Sequence, residues 1–309
     1  MSNVNHFAIS SILHSEIVGK FKSGHGQIRS LADAQKQFDV LAEADRAASD
    51  RRGENAPDIA TVSQAFLLVR DEFADKRSPD FYIADPERNS KFLEKCRELG
   101  VTASDYAINK ALLYARKTGK LRGLKSRKTS LNYETYAFAC EFAATELRYE
   151  TGASVDELLC DPALAARFDS IARKFAPGVS PTEYRWAALS IRKAGRNADW
   201  KPDYKMPALS GRFGISDRNT EALPVDMGVY VLFEKEKALY ARATEVLRFG
   251  IELHLKPETV SAFSNPFWQP APSDLYFSFA TITEKKLLHP VERKIIEDKR
   301  PIFNIPRRD

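Results

Sequence analysis

Gly228-Val229-Tyr230-Val231-Leu232-Phe233, the charged turn Glu234-Lys235-Glu236, and Leu239-Tyr240-Ala241-Arg242 decide how this 309-residue chain is read. Two short apolar runs on either side of a charged turn predict an antiparallel β-hairpin over Gly228–Phe233 and about Ala238–Ala241. Working outward, Thr244 to Leu255 reads as helix. Asp274 to Thr281, with Tyr276, Ser278 and Ala280 in alternation, reads as a third strand of the same sheet. Helices from about Thr244 and Glu284 are expected to cover that sheet, and the chain closes with Val291-Glu292-Arg293-Lys294-Ile295-Ile296 and Pro301-Ile302-Phe303-Asn304. The expectation is a compact α+β unit with a small antiparallel sheet covered by helices, preceded by a mainly α region.

The order, spacing and choice of Gly228-Val229-Tyr230, Leu239-Tyr240-Ala241, His254, Trp268, Glu292 and Pro301–Asn304 resemble the GIY-YIG nuclease domain, over about residues 226–309. That family is a small module that cuts phosphodiester bonds with one metal ion. The resemblance implies that Tyr230 lies near the attacking water and helps to activate it, a role that needs a cation or metal to lower a phenol pKa of about 10. It implies that Tyr240 and His254 shape the same pocket and that Glu292 holds Mg2+ (or Mn2+). Magnesium keeps several waters, so one carboxylate plus a substrate phosphate suffices. Asn304 falls on the family's closing asparagine, and Trp268 lies where a tryptophan often precedes the third strand.

Two positions depart from the family pattern. Arg242 replaces the glycine of the second motif, and counting four residues back from His254 finds Gly250 where the family has its helix arginine. Arg248 is two residues away, about 200° around a helix, and is expected to face away. Losing a charge-stabilising arginine costs on the order of 100-fold in rate. Arg242, entering from the strand side, is read as its replacement. On that reading Arg242→Ala abolishes nicking and leaves folding nearly intact. On the reading of a silent relic, Arg242→Gly with Gly250→Arg restores the family pattern.

The rest of the chain bounds the setting. The hydrophobic content of 43% can build real cores, and no apolar run reaches the length of a membrane span. Met1 to Lys20 lacks the pattern of a secretory signal. Cys96, Cys140 and Cys160 are far apart, form no C-x-x-C pair and sit among apolar helical positions, so buried thiols in a reducing, cytoplasmic setting are expected. The five histidines show no zinc spacing, and His6, His14, His25 and His289 have no partners that suggest catalysis. Net charge is +5, but Lys91 to Lys128 holds eleven Lys/Arg against three Asp/Glu, a local +8 that leaves −3 elsewhere. Such asymmetry points to a polyanion.

The expected organisation is an N-terminal helical arm (1–56), a helical domain (57–197), a linker rich in Pro, Gly, Asp and Arg (198–225) and the α+β domain (226–309). Within the helical domain, a helix bearing Phe92, Leu93, Cys96 and Leu99 ends at Gly100. Ser104 caps a second helix bearing Ile108, Ala111, Leu112 and Ala115, which Gly119 terminates. This is helix-turn-helix grammar, followed by a basic segment. Arg116, Lys117, Lys120, Arg122, Lys125, Arg127 and Lys128 are the expected nucleic-acid contacts. Further on, Tyr136, Ala137, Cys140, Ala144 and Leu147 mark one helix stripe, and Ser180-Pro181-Thr182-Glu183 is a capping box.

Together these observations point to a metal-dependent DNA endonuclease with a helical recognition region. By analogy with GIY-YIG domains fused to recognition modules, its setting is restriction or phage defence. The alternatives are a catalytically silent GIY-YIG-like DNA-binding protein and a protein-interaction adaptor with a sizeable apolar patch on its helices.

Overall fold

The computed structural model describes residues 56–194, 204–215, 220–255 and 275–305. The expected arm, but for residue 56, and Trp268 lie outside them. The helical region begins with α1 (Ile59–Phe73), where Asp58 accepts from the Ala60 and Thr61 amides and Val62, Ala65, Phe66 and Val69 face inward. Helices α2 (Pro79–Ala84) and α3 (Pro86–Glu98) each start with a capping side chain, Ser78 or Asp85, followed by proline. Proline is tolerated there because the first N–H has no helical partner. Ser104 caps α4 (Asp105–Lys117), and Gly100 takes the left-handed conformation at φ 82° before it. A 3-10 turn (Glu134–Tyr136) leads into α5 (Ala137–Thr151), followed by α6 (Val155–Cys160), α7 (Pro162–Phe175) and α8 (Pro181–Ala194). The expected capping box at α8 is present, with the Ser180 amide donating to Glu183 and the Glu183 amide donating to Ser180 Oγ. All three cysteines are buried free thiols.

Helix α5 is central. Ala137, Ala139, Cys140, Phe142, Ala143, Ala144 and Leu147 are all buried, and so is Glu141. A helix buried nearly all round has no polar face to lose, and its small residues let neighbours approach closely. The single stripe expected for it was therefore too narrow, since Phe142 and Glu141 point to a second partner, the sheet.

That sheet contains β1 (Ser210–Gly214), β2 (Gly228–Glu234), β3 (Lys237–Thr244) and β4 (Leu275–Thr281) in the order β1-β4-β2-β3, with every neighbouring pair antiparallel. The hairpin and third strand are present, but β3 pairs with β2 as far as Thr244, which corrects the expectation that a helix starts there. Strand β1 lies inside the stretch read as a linker. Its sequence, Ser210-Gly211-Arg212-Phe213-Gly214, has one large apolar side chain and no periodicity, and it is ordered by pairing to β4 through Phe213↔Phe277. On one face Val229, Val231, Ala241 and Ala243 pack against Val291 and Ile295 of α10 (Leu288–Lys299). On the other, Tyr230, Leu232, Tyr240 and Phe277 pack with Leu247 and Ile251 of α9 (Leu247–Glu252) and with Phe142 of α5. Gly228 is required where β2 starts, because a Cβ there would lie 2.2 Å from the Ala280 carbonyl oxygen. Among the described residues no helix is long and apolar enough to cross a membrane.

Candidate active site on the sheet face and a basic loop

Alternation along β3 puts Tyr240, Arg242 and Thr244 on the face opposite Ala241 and Ala243, and the register sets Tyr230 of β2 directly across from Arg242. Tyr230 Oη lies 2.9 Å from His254 Nε2, just beyond α9. The Arg242 guanidinium lies 3.9 Å from Glu292 Oε1 on α10 and 3.6 Å from Oε2 of Glu141 on α5. Tyr240 donates to the same Glu141 oxygen at 2.7 Å. Asn304 is pinned to the edge strand, accepting from the Ala241 amide at 2.8 Å and donating to the Ala241 carbonyl at 2.9 Å. Its Nδ2 also donates to Glu141 Oε1 at 3.2 Å, as does the Ile305 amide at 3.2 Å. The structure thus gathers all five site residues singled out in the sequence (Tyr230, Tyr240, Arg242, His254 and Glu292) into one network.

It also closes that network. Tyr230, Tyr240, His254 and Glu292 are 3%, 1%, 1% and 2% exposed. Phe138 of α5 makes edge contacts with the rings of His254 and Tyr240 at centroid distances of 4.8 and 5.1 Å. A cavity of about 30 Å³ remains beside Glu134, Tyr230, Tyr240, Arg242 and His254, room for about two waters. His254 Nδ1 and Arg242 Nε, both in residues that line it, have no hydrogen-bond partner among the described residues.

Burial sets the protonation states. It pushes the Tyr230 phenol well above its ordinary range; Arg242 opposes this, while Glu141, Glu292 and Glu134 add to it. Tyr240 is raised by burial and then by Glu141. In this arrangement Tyr230 is a neutral phenol bonded to an imidazole, the reverse of the lowered pKa that its implied role requires. Burial depresses His254 to about 3, so its ring is neutral. Burial also works against the Arg242 charge, but Tyr240, Glu292 and Glu141 outweigh it and hold the guanidinium above its ordinary pKa.

The altered positions now have a physical account. A Cβ on Gly250 would lie 2.8 Å from Tyr230 Cε1 and 3.0 Å from Thr244 Cγ2, so no arginine fits there while Tyr230 keeps its place. This corrects the idea that Gly250→Arg could restore a working pattern. Arg248 faces away as expected, donating to the Leu223 and Glu221 carbonyls. The expectation that Arg242→Ala would leave folding intact is also corrected. Removing one member of a buried charge group costs about 3–5 kcal/mol, because it strands the others. Lysine is therefore the informative substitution there.

A hydrated magnesium ion does not fit at Glu292 in this arrangement. It demands an octahedral shell with several waters. Glu292 is 2% exposed, the Arg242 guanidinium is 3.9 Å from its Oε1, and His289 Nδ1 is 3.3 Å from its Oε2.

Sequence reasoning missed Glu141. The signal was present in Ala139-Cys140-Glu141-Phe142-Ala143, a lone carboxylate in an apolar helix, which has to be paired to stay charged when buried. Glu134, which accepts from Thr244 Oγ1 at 2.6 Å, was missed with it.

The basic segment divides in two. Arg116 is ion-paired with the buried Asp80, and Lys117 lies 3.8 Å from Asp156. Arg116 thereby ties α4 to α2, whereas Lys117 is 58% exposed and its pair is a surface one. Lys110 of α4 pairs with Glu157 at 3.0 Å. The α3–α4 crossing is locked by Asn89 donating to Asn109 at 2.8 Å and by Asn109 donating to the Cys160 carbonyl at 2.9 Å. Lys120, Arg122, Lys125, Arg127 and Lys128 are exposed. Their loop is tied down by the Arg127 amide donating to the Lys76 carbonyl and by Arg77 donating to Thr129 Oγ1. Of the seven cations expected to contact nucleic acid, Arg116 is engaged within the fold and the other six are exposed.

No protein-family model, curated protein or solved structure matches this chain. The resemblance to GIY-YIG nucleases therefore stands on its residues alone.

Proposed function

We propose that the α+β region cleaves phosphodiester bonds in DNA as GIY-YIG nucleases do, while the helical region grips the DNA backbone through residues 120–128. The observation that carries this reading is the position of Arg242. Gly250 leaves room only for Tyr230, and a guanidinium arrives instead from β3, beside Tyr240 and 3.9 Å from Glu292. Arg242 and Tyr240 then bear on the phosphate, and Tyr230 with His254 forms the pair that handles the water's proton. Glu292 is the carboxylate to which the resemblance assigns Mg2+ or Mn2+, although a hydrated ion does not fit beside it in the closed site. The setting is cytoplasmic restriction or phage defence.

The packing of α5 favours a second reading, a silent GIY-YIG-like protein that binds DNA without cutting it. Phe138 and Phe142 seal the site against Tyr240, His254 and Phe303, and exposing them would cost much apolar burial. The adaptor reading draws only on Leu67, Leu68, Tyr114 and Tyr149, the exposed large apolar side chains among the described residues of the N-terminal helical region.

Nicking of supercoiled plasmid by the full chain, with and without Mg2+, decides between cutting and silence. The proposal expects metal-dependent nicking that falls by about 100-fold or more in both Arg242→Lys and Glu292→Gln, with DNA affinity retained. Absence of nicking in the wild type and in a Glu141→Gln variant establishes the silent reading.

A further inference from the structure

Tyr240, Arg242, Asn304 and Ile305 approach Glu141 from the C-terminal α+β region, while the carboxylate they approach comes from the helical region. Oε2 accepts from Tyr240 Oη at 2.7 Å with Arg242 Nη1 at 3.6 Å, and Oε1 accepts from Asn304 Nδ2 and the Ile305 amide, both at 3.2 Å. We infer that Tyr240 Oη–H, Asn304 Nδ2, the Ile305 N–H and the Arg242 guanidinium form a subsite for one phosphodiester group, which the Glu141 carboxylate fills as an intramolecular mimic. This inference rests on the nuclease reading and names how its site is kept shut.

Three observations support it. Most of the cradle is set by the sheet: Asn304 is fixed in both directions by the Ala241 backbone and Tyr240 and Arg242 share one face of β3, while Ile305 packs in the helical core and the Phe303 carbonyl accepts from Thr145 of α5. The occupant has matching chemistry, because a carboxylate and a phosphodiester each carry one negative charge over two equivalent oxygens, the arrangement that guanidinium and paired N–H donors recognise. A charged group this deep is also a poor way to stabilise a core, since apolar residues of similar volume often do as well or better. Glu141 is 0% exposed, on a helix whose neighbouring positions are alanine, cysteine and phenylalanine.

Emptying the cradle tests this. In the full-length Glu141→Ala protein, inorganic phosphate at ten times its dissociation constant is expected to raise the melting temperature by about 3 °C over chloride at equal ionic strength, with no such rise in the wild type. Acetate serves as the carboxylate control. Rescue by acetate without rescue by phosphate would show a hole shaped for a carboxylate alone and overturn the inference. Should Glu141→Ala fail to fold, Glu141→Ser also empties the cradle, and phosphate is expected to protect it in the same way. No phosphate-dependent rise in any folded variant also overturns the inference. The nuclease reading is scored separately by nicking. Phosphate rescue without nicking leaves the cradle standing and removes the enzyme, whereas wild-type nicking with no phosphate effect keeps the enzyme and removes the mimic.

Discussion

Gly250 and Tyr230 are in contact so close that one methyl group between them is a measurable insult. In Gly250→Ala the added Cβ, 2.8 Å from the Tyr230 ring, costs about 1–3 kcal/mol by overpacking, against up to about 1 kcal/mol regained from helix propensity. A lower urea midpoint is the expected result, and a higher one would show that Tyr230 yields freely. His254 gives the molecule a pH signature. Its ring is held to about 3 from an ordinary 6.5, so the unfolded chain binds the proton more readily between those values. The stability this confers is complete above about 6.5 and is lost as pH falls toward 3, with about 2 kcal/mol gone by pH 5. Urea unfolding at pH 7 and pH 5 should show that loss in the wild type and a smaller one in His254→Gln; equal losses would place the proton elsewhere. Tyr230, Tyr240, His254, Glu292 and Arg242 were legible in the sequence because motif spacing survives without knowledge of packing. Glu141 was not, because its meaning depends on a partner 99 residues away in sequence, Tyr240.

Helix boundaries at Ser104, Gly100 and Ser180 could be read directly, since a cap acts on amides two or three residues away. Strand β1 could not, because edge pairing to β4 replaces the periodicity its sequence lacks. The loop after α4 was legible as a charge run, but its division was not, since only the fold shows that Arg116 and Lys117 meet Asp80 and Asp156. The exposed part makes a quantitative prediction. Replacing Lys120, Arg122, Lys125 and Lys128 together with Gln removes up to four phosphate contacts, and the slope of log affinity against log salt should fall by up to about 3.6. An unchanged slope would return this loop to an ordinary solvated surface.

For the whole molecule, the sequence indicated a helical region followed by an α+β region, and both are present. What it did not indicate is that the sheet face bearing the candidate site is the surface on which the first region is packed. Phe142 of α5 belongs to the core of the sheet face, and Ile305 from the chain's closing segment belongs to the helical core. Composition and spacing carry no record of such docking, because either partner alone reads as an ordinary amphipathic element. The docking converts a resemblance to an open nuclease into a closed site with its charges paired. The most direct test is plasmid nicking in Mg2+ by the full chain carrying Glu141→Gln, compared with the same protein also carrying Glu292→Gln. Metal-dependent nicking in the first, reduced by about 100-fold or more in the second, is the predicted result. Equal nicking by the two proteins, or none by the first, would contradict the assignment of this site to phosphodiester cleavage.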